Sequence, residues 1–173
     1  MIRRFDESRA TVDDFGDEFL VECPRCRRCA HVRDRGAEAT GGRIALACAA
    51  CGHSAVWRSD GSGARITSVS TAWFAPGRVG VGATVDWYFH LPLWLQAPCC
   101  GETLWAYNAR HLDFLERFVA AALRERAPDA RHGWSNRGLA SRLPRWMQQA
   151  GHRAAVLDGI ARLRAGRLRE EAG

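Results

Sequence analysis

Cys23-Pro24-Arg25-Cys26 and Cys48-Ala49-Ala50-Cys51-Gly52 are the stretches whose reading decides the fold. Each Cys-x-x-Cys sets two thiols on one tight turn, close enough to hold the same ion. Twenty-one residues separate the pairs. Brought together, they make a tetrahedral cage of four thiolates, the closed geometry of a structural zinc site. Strand signals flank both turns. Glu18–Glu22 leads into the first and Ala30–Arg33 leaves it; Gly41-Gly42 marks a turn, Arg43–Ala47 enters the second pair and His53–Arg58 returns. Gly52 can take the positive φ that such a turn needs. A stretch of about forty residues with so little apolar core would depend on zinc for its folding.

The first pair admits an alternative. Cys26-Arg27-Arg28-Cys29 is an overlapping Cys-x-x-Cys, so Cys26/Cys29 competes with Cys23/Cys26. Pro24 restricts the turn and favours Cys23/Cys26. Buried thiols or a disulfide are the other use of these cysteines. Residues 19–58 resemble a zinc ribbon of the transcription-factor-IIB type, with Cys23, Cys26, Cys48 and Cys51 at the ligand positions. Such ribbons usually carry a glycine right after the first pair, where this chain has Arg27.

The chain has 173 residues, 47% of them hydrophobic, enough for one domain or a small metal module attached to one. No apolar run approaches the length of a membrane span, and Met1–Glu7 lacks an apolar signal segment. Both points lead to the expectation of a cytoplasmic protein. Seven cysteines in a reducing compartment read as metal ligands and free thiols. There is no lysine, so all 25 basic residues are arginine. Residues 1–107 hold 12 arginines against 12 acidic residues, whereas residues 108–173 hold 13 against 7, a net +6 confined to the C-terminal third. Such a segment can attract phosphate backbones; an arginine-rich helical surface is the plainer reading.

The sequence divides into a flexible acidic lead-in over 1–17, a zinc ribbon over 18–58, and a β-hairpin with a helical body over 73–173. Phe5 and Phe15 in the lead-in are expected to dock on the body. Trp73, Phe74, Trp87, Tyr88, Phe89, Trp94, Trp105 and Tyr107 form an aromatic block. Large rings belong first to a core, and exposed ones among arginines can stack bases; a split use would bury Trp94 and Trp105 and leave one or two others exposed. Asp86–Leu91 and Leu93–Gln96 read as strand, Ala97–Glu102 as turn and Thr103–Tyr107 as the returning strand. Cys99-Cys100 in that turn read as structural thiols, ahead of a second metal site or a redox pair.

A helix is expected over 108–126, with Asn108 as N-cap and Leu112, Leu115, Phe118, Val119, Ala122 and Leu123 on one apolar face. His111 and Asp113 near its start are expected on the surface or in a capping role. A short helix around Pro144 and a last helix over 153–165 follow, the latter with Ala155, Val156, Gly159, Ile160 and Leu163 on one side. Leu93–Gln96, Leu104–Asn108, His111-Leu112, Leu123–Arg126 and Leu139–Met147 look like bacterial zinc-ribbon proteins of unassigned function, a resemblance that implies a ribbon fused to a sheet-and-helix body.

The sequence contains no glycine-rich phosphate loop, Gly-x-Ser-x-Gly or His-Glu-x-x-His motif. A zinc closed by four cysteines has no open position for water. The expectation is therefore an α+β, zinc-binding, non-catalytic accessory protein with no membrane and no small-molecule partner. It would bind nucleic acid through Arg137, Arg142, Arg145 and Arg153, or serve as a protein-interaction adaptor anchored by exposed aromatics such as Trp73 or Trp87.

Overall fold

The computed structural model describes residues 4–6, 10–36, 43–61, 65–66, 79–121, 123–125 and 143–171. In chain order the elements are β1 (Arg4–Asp6), a 3-10 turn (Val12–Phe15), β2 (Glu18–Glu22), β3 (Cys29–Asp34), β4 (Ile44–Ala47) and β5 (Ser54–Val56). Then come β6 (Arg65–Ile66), β7 (Val79–Gly80), β8 (Leu95–Cys99), β9 (Glu102–Ala106), α1 (Ala109–Ala120) and β10 (Leu123–Glu125). The chain ends with α2 (Arg145–Gln148), a 3-10 turn (Ala150–His152) and α3 (Arg153–Glu171). The architecture is mixed α and β, with an antiparallel sheet and C-terminal helices as expected. It falls into two compact units, Gly16–Gln96 with Trp105–Asn108, and Met1–Phe15 with Ala97–Leu104 and Ala109–Gly173.

The first of these units is built on a four-stranded antiparallel sheet in the order β2-β3-β4-β5. The four strands are those the sequence suggests around the cysteine pairs. In β3, Ala30 and Val32 are buried, and in β4 Ile44 and Leu46, as strands with one covered face require. In β2, three successive residues, Phe19, Leu20 and Val21, are buried. The outer edge of β2 is covered: Glu22 N–H donates to Pro92 O (2.8 Å), Trp94 N–H to Leu20 O (2.9 Å) and Leu20 N–H to Tyr107 O (2.8 Å). Phe19 packs against Trp87 and Tyr107 with ring centres 5.2 and 5.1 Å apart.

Asp86–Leu91 is not a strand. The buried Asp86 carboxylate accepts from the backbone N–H groups of Tyr88 (2.9 Å), Phe89 (2.8 Å) and Leu91 (2.7 Å), and winds the segment into a turn. Three backbone bonds to one side chain outweigh the strand propensity of the aromatic run. The turn also sets Trp87 over Gly16, where a Cβ would fall 2.3 Å from the indole ring.

In the second unit, the tip of the β8–β9 hairpin is the two-residue loop Cys100-Gly101, narrower than the sequence suggests. Both residues have positive φ (54° and 80°), the pattern of a type I′ turn matched to strand twist. Leu112, Leu115, Phe118 and Val119 of α1 are buried as expected, but the helix ends at Ala120. Leu123–Glu125 instead pairs in parallel with Arg4–Asp6, a non-local pairing that overrides helix propensity. Phe15 stacks on His111, with ring centres 5.0 Å apart. His111 is therefore a core residue and not a surface one; burial pushes its pKa down to about 3 and keeps it neutral. Helix α3 runs to Glu171, past the 153–165 that the sequence suggests. Val156, Gly159 and Ile160 are buried, while Ala155 is exposed. Gly159 lies against β9: a Cβ there would sit 2.9 Å from Leu104 Cδ2. Arg164 of α3 bonds Asp113 (2.6 Å) and Glu116 (2.8 Å) of α1.

Candidate metal centre

The two Cys-x-x-Cys turns join β2 to β3 and follow β4 before β5. They are two copies of one backbone design. In the first, Cys23 N–H donates to Arg28 O (2.8 Å) and Arg27 N–H to Cys23 O (2.9 Å). In the second, Cys48 N–H donates to His53 O (2.8 Å) and Gly52 N–H to Cys48 O (3.0 Å). Arg27 and Gly52 stand at the same step, with φ of 65° and 69°. The left-handed residue closes each turn and aims both cysteines inward.

The sulfurs of Cys23, Cys26, Cys48 and Cys51 all lie within 4.8 Å of one another. Cys23 Sγ is 3.8 Å from Cys51 Sγ, and Cys26 Sγ is 3.6 Å from Cys48 Sγ. Four sulfurs about 2.3 Å from a zinc ion would be separated by about 3.8 Å at tetrahedral angles. The spacing thus suits a metal of that size, and the all-sulfur donor set suits zinc among the divalent ions.

The electrostatics point the same way. Burial opposes ionisation of Cys23, but the backbone N–H groups of Cys26 and Arg25 and the thiols of Cys48 and Cys26 outweigh it and bring its pKa down to about 7. At Cys26 the Arg28 N–H favours the thiolate. Burial and the thiols of Cys51, Cys48 and Cys23 oppose it and push the pKa up to about 12. The nest thus favours the thiolate at Cys23 and opposes it at Cys26. A divalent cation held among the four sulfurs would supply positive charge that favours thiolate ligands.

Cys29 begins β3 and is not in the cluster; its Sγ lies 3.9 Å from Ala30 O, and its own carbonyl oxygen is 3.7 Å from Cys48 Sγ. Cys99 and Cys100 have sulfurs 3.7 Å apart at the hairpin tip. Burial and the Cys100 thiol push the Cys99 pKa up to about 11, which suppresses the thiolate that redox chemistry needs.

Of the arginines expected on nucleic acid, Arg145 is exposed at the start of α2, and Arg153 opens α3 and donates Nη2 to Ala121 O (3.3 Å). Arg137 and Arg142 lie outside the described residues, as do Trp73 and Phe74. Trp87 is buried and Trp94 and Trp105 half-buried, so Trp87 is not an exposed anchor. Among the described residues the one exposed large apolar side chain is Val56, and no helix is long and apolar enough to cross a membrane. Comparison with family models, curated proteins and solved structures gives no match to this chain.

Proposed function

We propose that this chain is a zinc-binding, non-catalytic accessory protein. Residues 18–58 form a zinc ribbon of the transcription-factor-IIB type, and the partner is nucleic acid, held through the arginine-rich C-terminal region. The observation that carries the reading is the convergence of Cys23, Cys26, Cys48 and Cys51 within 4.8 Å. These residues would hold one zinc ion, whose contribution is to tie the two turns together; a cage closed by four thiolates leaves no position for a reacting water. The nucleic-acid part is supported by the net +6 of residues 108–173 and by the exposed Arg145. Arginine suits phosphate by charge and by its planar fork.

A second reading, a protein-interaction adaptor, is favoured by one observation. β5 is the outermost strand of its sheet and carries the exposed Val56, so a partner strand could add to that edge.

Fluorescence anisotropy of zinc-loaded, nucleic-acid-free protein with labelled single- and double-stranded DNA and RNA separates the two readings. Binding that persists near physiological salt supports the nucleic-acid role, and substitution of Arg145 should weaken it. Absence of binding at low salt rejects that role and leaves the adaptor.

A further inference from the structure

Arg25, Arg27 and Arg28 follow one another around the first metal turn, and no acidic residue lies between Cys23 and Cys29. All three are exposed. The side chains of Arg25 and Arg28 have no hydrogen-bond or ion-pair partner among the described residues. Arg27 donates Nε to Glu22 Oε1 (2.9 Å) while its side chain stays 77% exposed. Elsewhere in the same sheet, arginines are spent on carboxylates: Arg33 bonds Glu18 and Arg43 bonds Asp34, both at 2.7 Å. Among the described residues Arg35, Arg58 and Arg145 also stand without side-chain partners, but at scattered positions.

The second metal turn is the control that the chain itself provides. On the same hydrogen bonds it carries Ala49, Ala50 and Gly52. The step that Gly52 fills with φ of 69° is filled by Arg27 with φ of 65°, a region that an L side chain enters only at an energetic cost. The turn does not need the arginine, since a glycine makes it with less strain. The side chain is thus held at this tip against a local preference, a pattern associated with functional positions.

We infer that the first metal turn is a phosphate-binding tip, in which Arg25, Arg27 and Arg28 contact the nucleic-acid backbone independently of sequence. The inference rests on the proposed nucleic-acid role and adds to it three arginines outside the C-terminal third of the sequence. The metal-tied turn would fix the backbone that carries the three arginines, and Glu22 orients Arg27 through Nε. The same arginines also offset the negative charge that four thiolates leave around a divalent cation; zinc content separates that structural role from binding.

The test compares full-length, zinc-loaded wild type with Arg25→Gln/Arg28→Gln and Arg27→Gly, by anisotropy on labelled single- and double-stranded oligonucleotides across salt, with zinc content measured for each. The expected result is one zinc per chain throughout. Binding should weaken roughly tenfold in the double variant, with a log–log salt slope shallower by about two, and by about one in Arg27→Gly. Arg27→Gly removes strain, so it keeps the test open should the double variant lose its metal. Wild-type binding that both zinc-loaded variants retain with the same affinity and slope overturns the tip and leaves the nucleic-acid role standing. No wild-type binding on any oligonucleotide rejects both.

Discussion

Arg27 and Gly52 occupy one position in two copies of the same turn. Each donates its backbone N–H to the carbonyl of the cysteine four residues before it, at 2.9 and 3.0 Å, and each lies in the left-handed region. One is the residue best suited to that conformation and the other is among those it suits poorly. This asymmetry gives the first prediction, because the two substitutions should act in opposite directions. Left-handed φ costs a non-glycine residue roughly 1–2 kcal/mol, the greater freedom of an unfolded glycine returns roughly 0.5–1 kcal/mol, and the ion pair with half-buried Glu22 adds little because the Arg27 side chain is itself exposed. Arg27→Gly should therefore stabilise the zinc-loaded protein by about 0.5 kcal/mol and Gly52→Ala should destabilise it by about 1 kcal/mol, read by denaturant unfolding.

Cys23→Ser or Cys48→Ser should lower bound zinc well below one per chain and unfold the β2–β5 sheet, because a metal held by these turns would contribute folding energy directly. Cys29→Ser should keep one zinc, since its sulfur lies outside the cluster. Metal analysis with circular dichroism distinguishes these outcomes; full zinc in both Cys23 and Cys48 variants would refute the ligand set.

Gly16→Ala should destabilise by about 1–3 kcal/mol, because the added methyl would sit 2.3 Å from the buried Trp87 ring, which has no room to retreat. Trp87→Leu in the same chain should recover part of that loss. Thermal unfolding of the single and double variants is the check; equal loss in both would show that the contact is not the cause.

His111 makes the second unit sensitive to acid. Its folded pKa is depressed by burial to about 3, below the ordinary histidine value near 6.5. The unfolded chain then binds the proton first. The contribution of neutral His111 is complete above about pH 6.5 and declines toward pH 3, by up to about 1.4 kcal/mol per pH unit. Glu18 in the sheet works in the same sense at lower pH. Burial opposes its ionisation, but hydrogen bonds from His31 and Arg33 outweigh that and hold its pKa below the usual carboxylate value. His111→Gln should flatten the upper part of the profile. An unchanged slope between pH 6.5 and 5 in that variant would contradict the assignment.

The sequence was most legible where structure is local. The two Cys-x-x-Cys turns and the strands around them are set by short-range spacing, and even the Arg27–Gly52 correspondence can be read by placing one turn over the other. What escaped was non-local. Leu123–Glu125 has helix-compatible residues and becomes a strand only because Arg4–Asp6, more than a hundred residues away, pairs with it. Trp87-Tyr88-Phe89 has strong strand propensity, yet the buried Asp86 collects three backbone N–H groups and turns the chain. His111 reads as a polar residue near a helix start, and only its stacking on Phe15 reveals it as core.

The central claim is that four sulfurs from two matched turns enclose a single zinc ion. X-ray absorption at the zinc edge of the purified, metal-loaded chain tests it most directly. The account predicts a first shell of four sulfurs at about 2.3 Å with no lighter neighbour. A shell containing nitrogen or oxygen, fewer than four sulfurs, or a chain that takes up no zinc would contradict it.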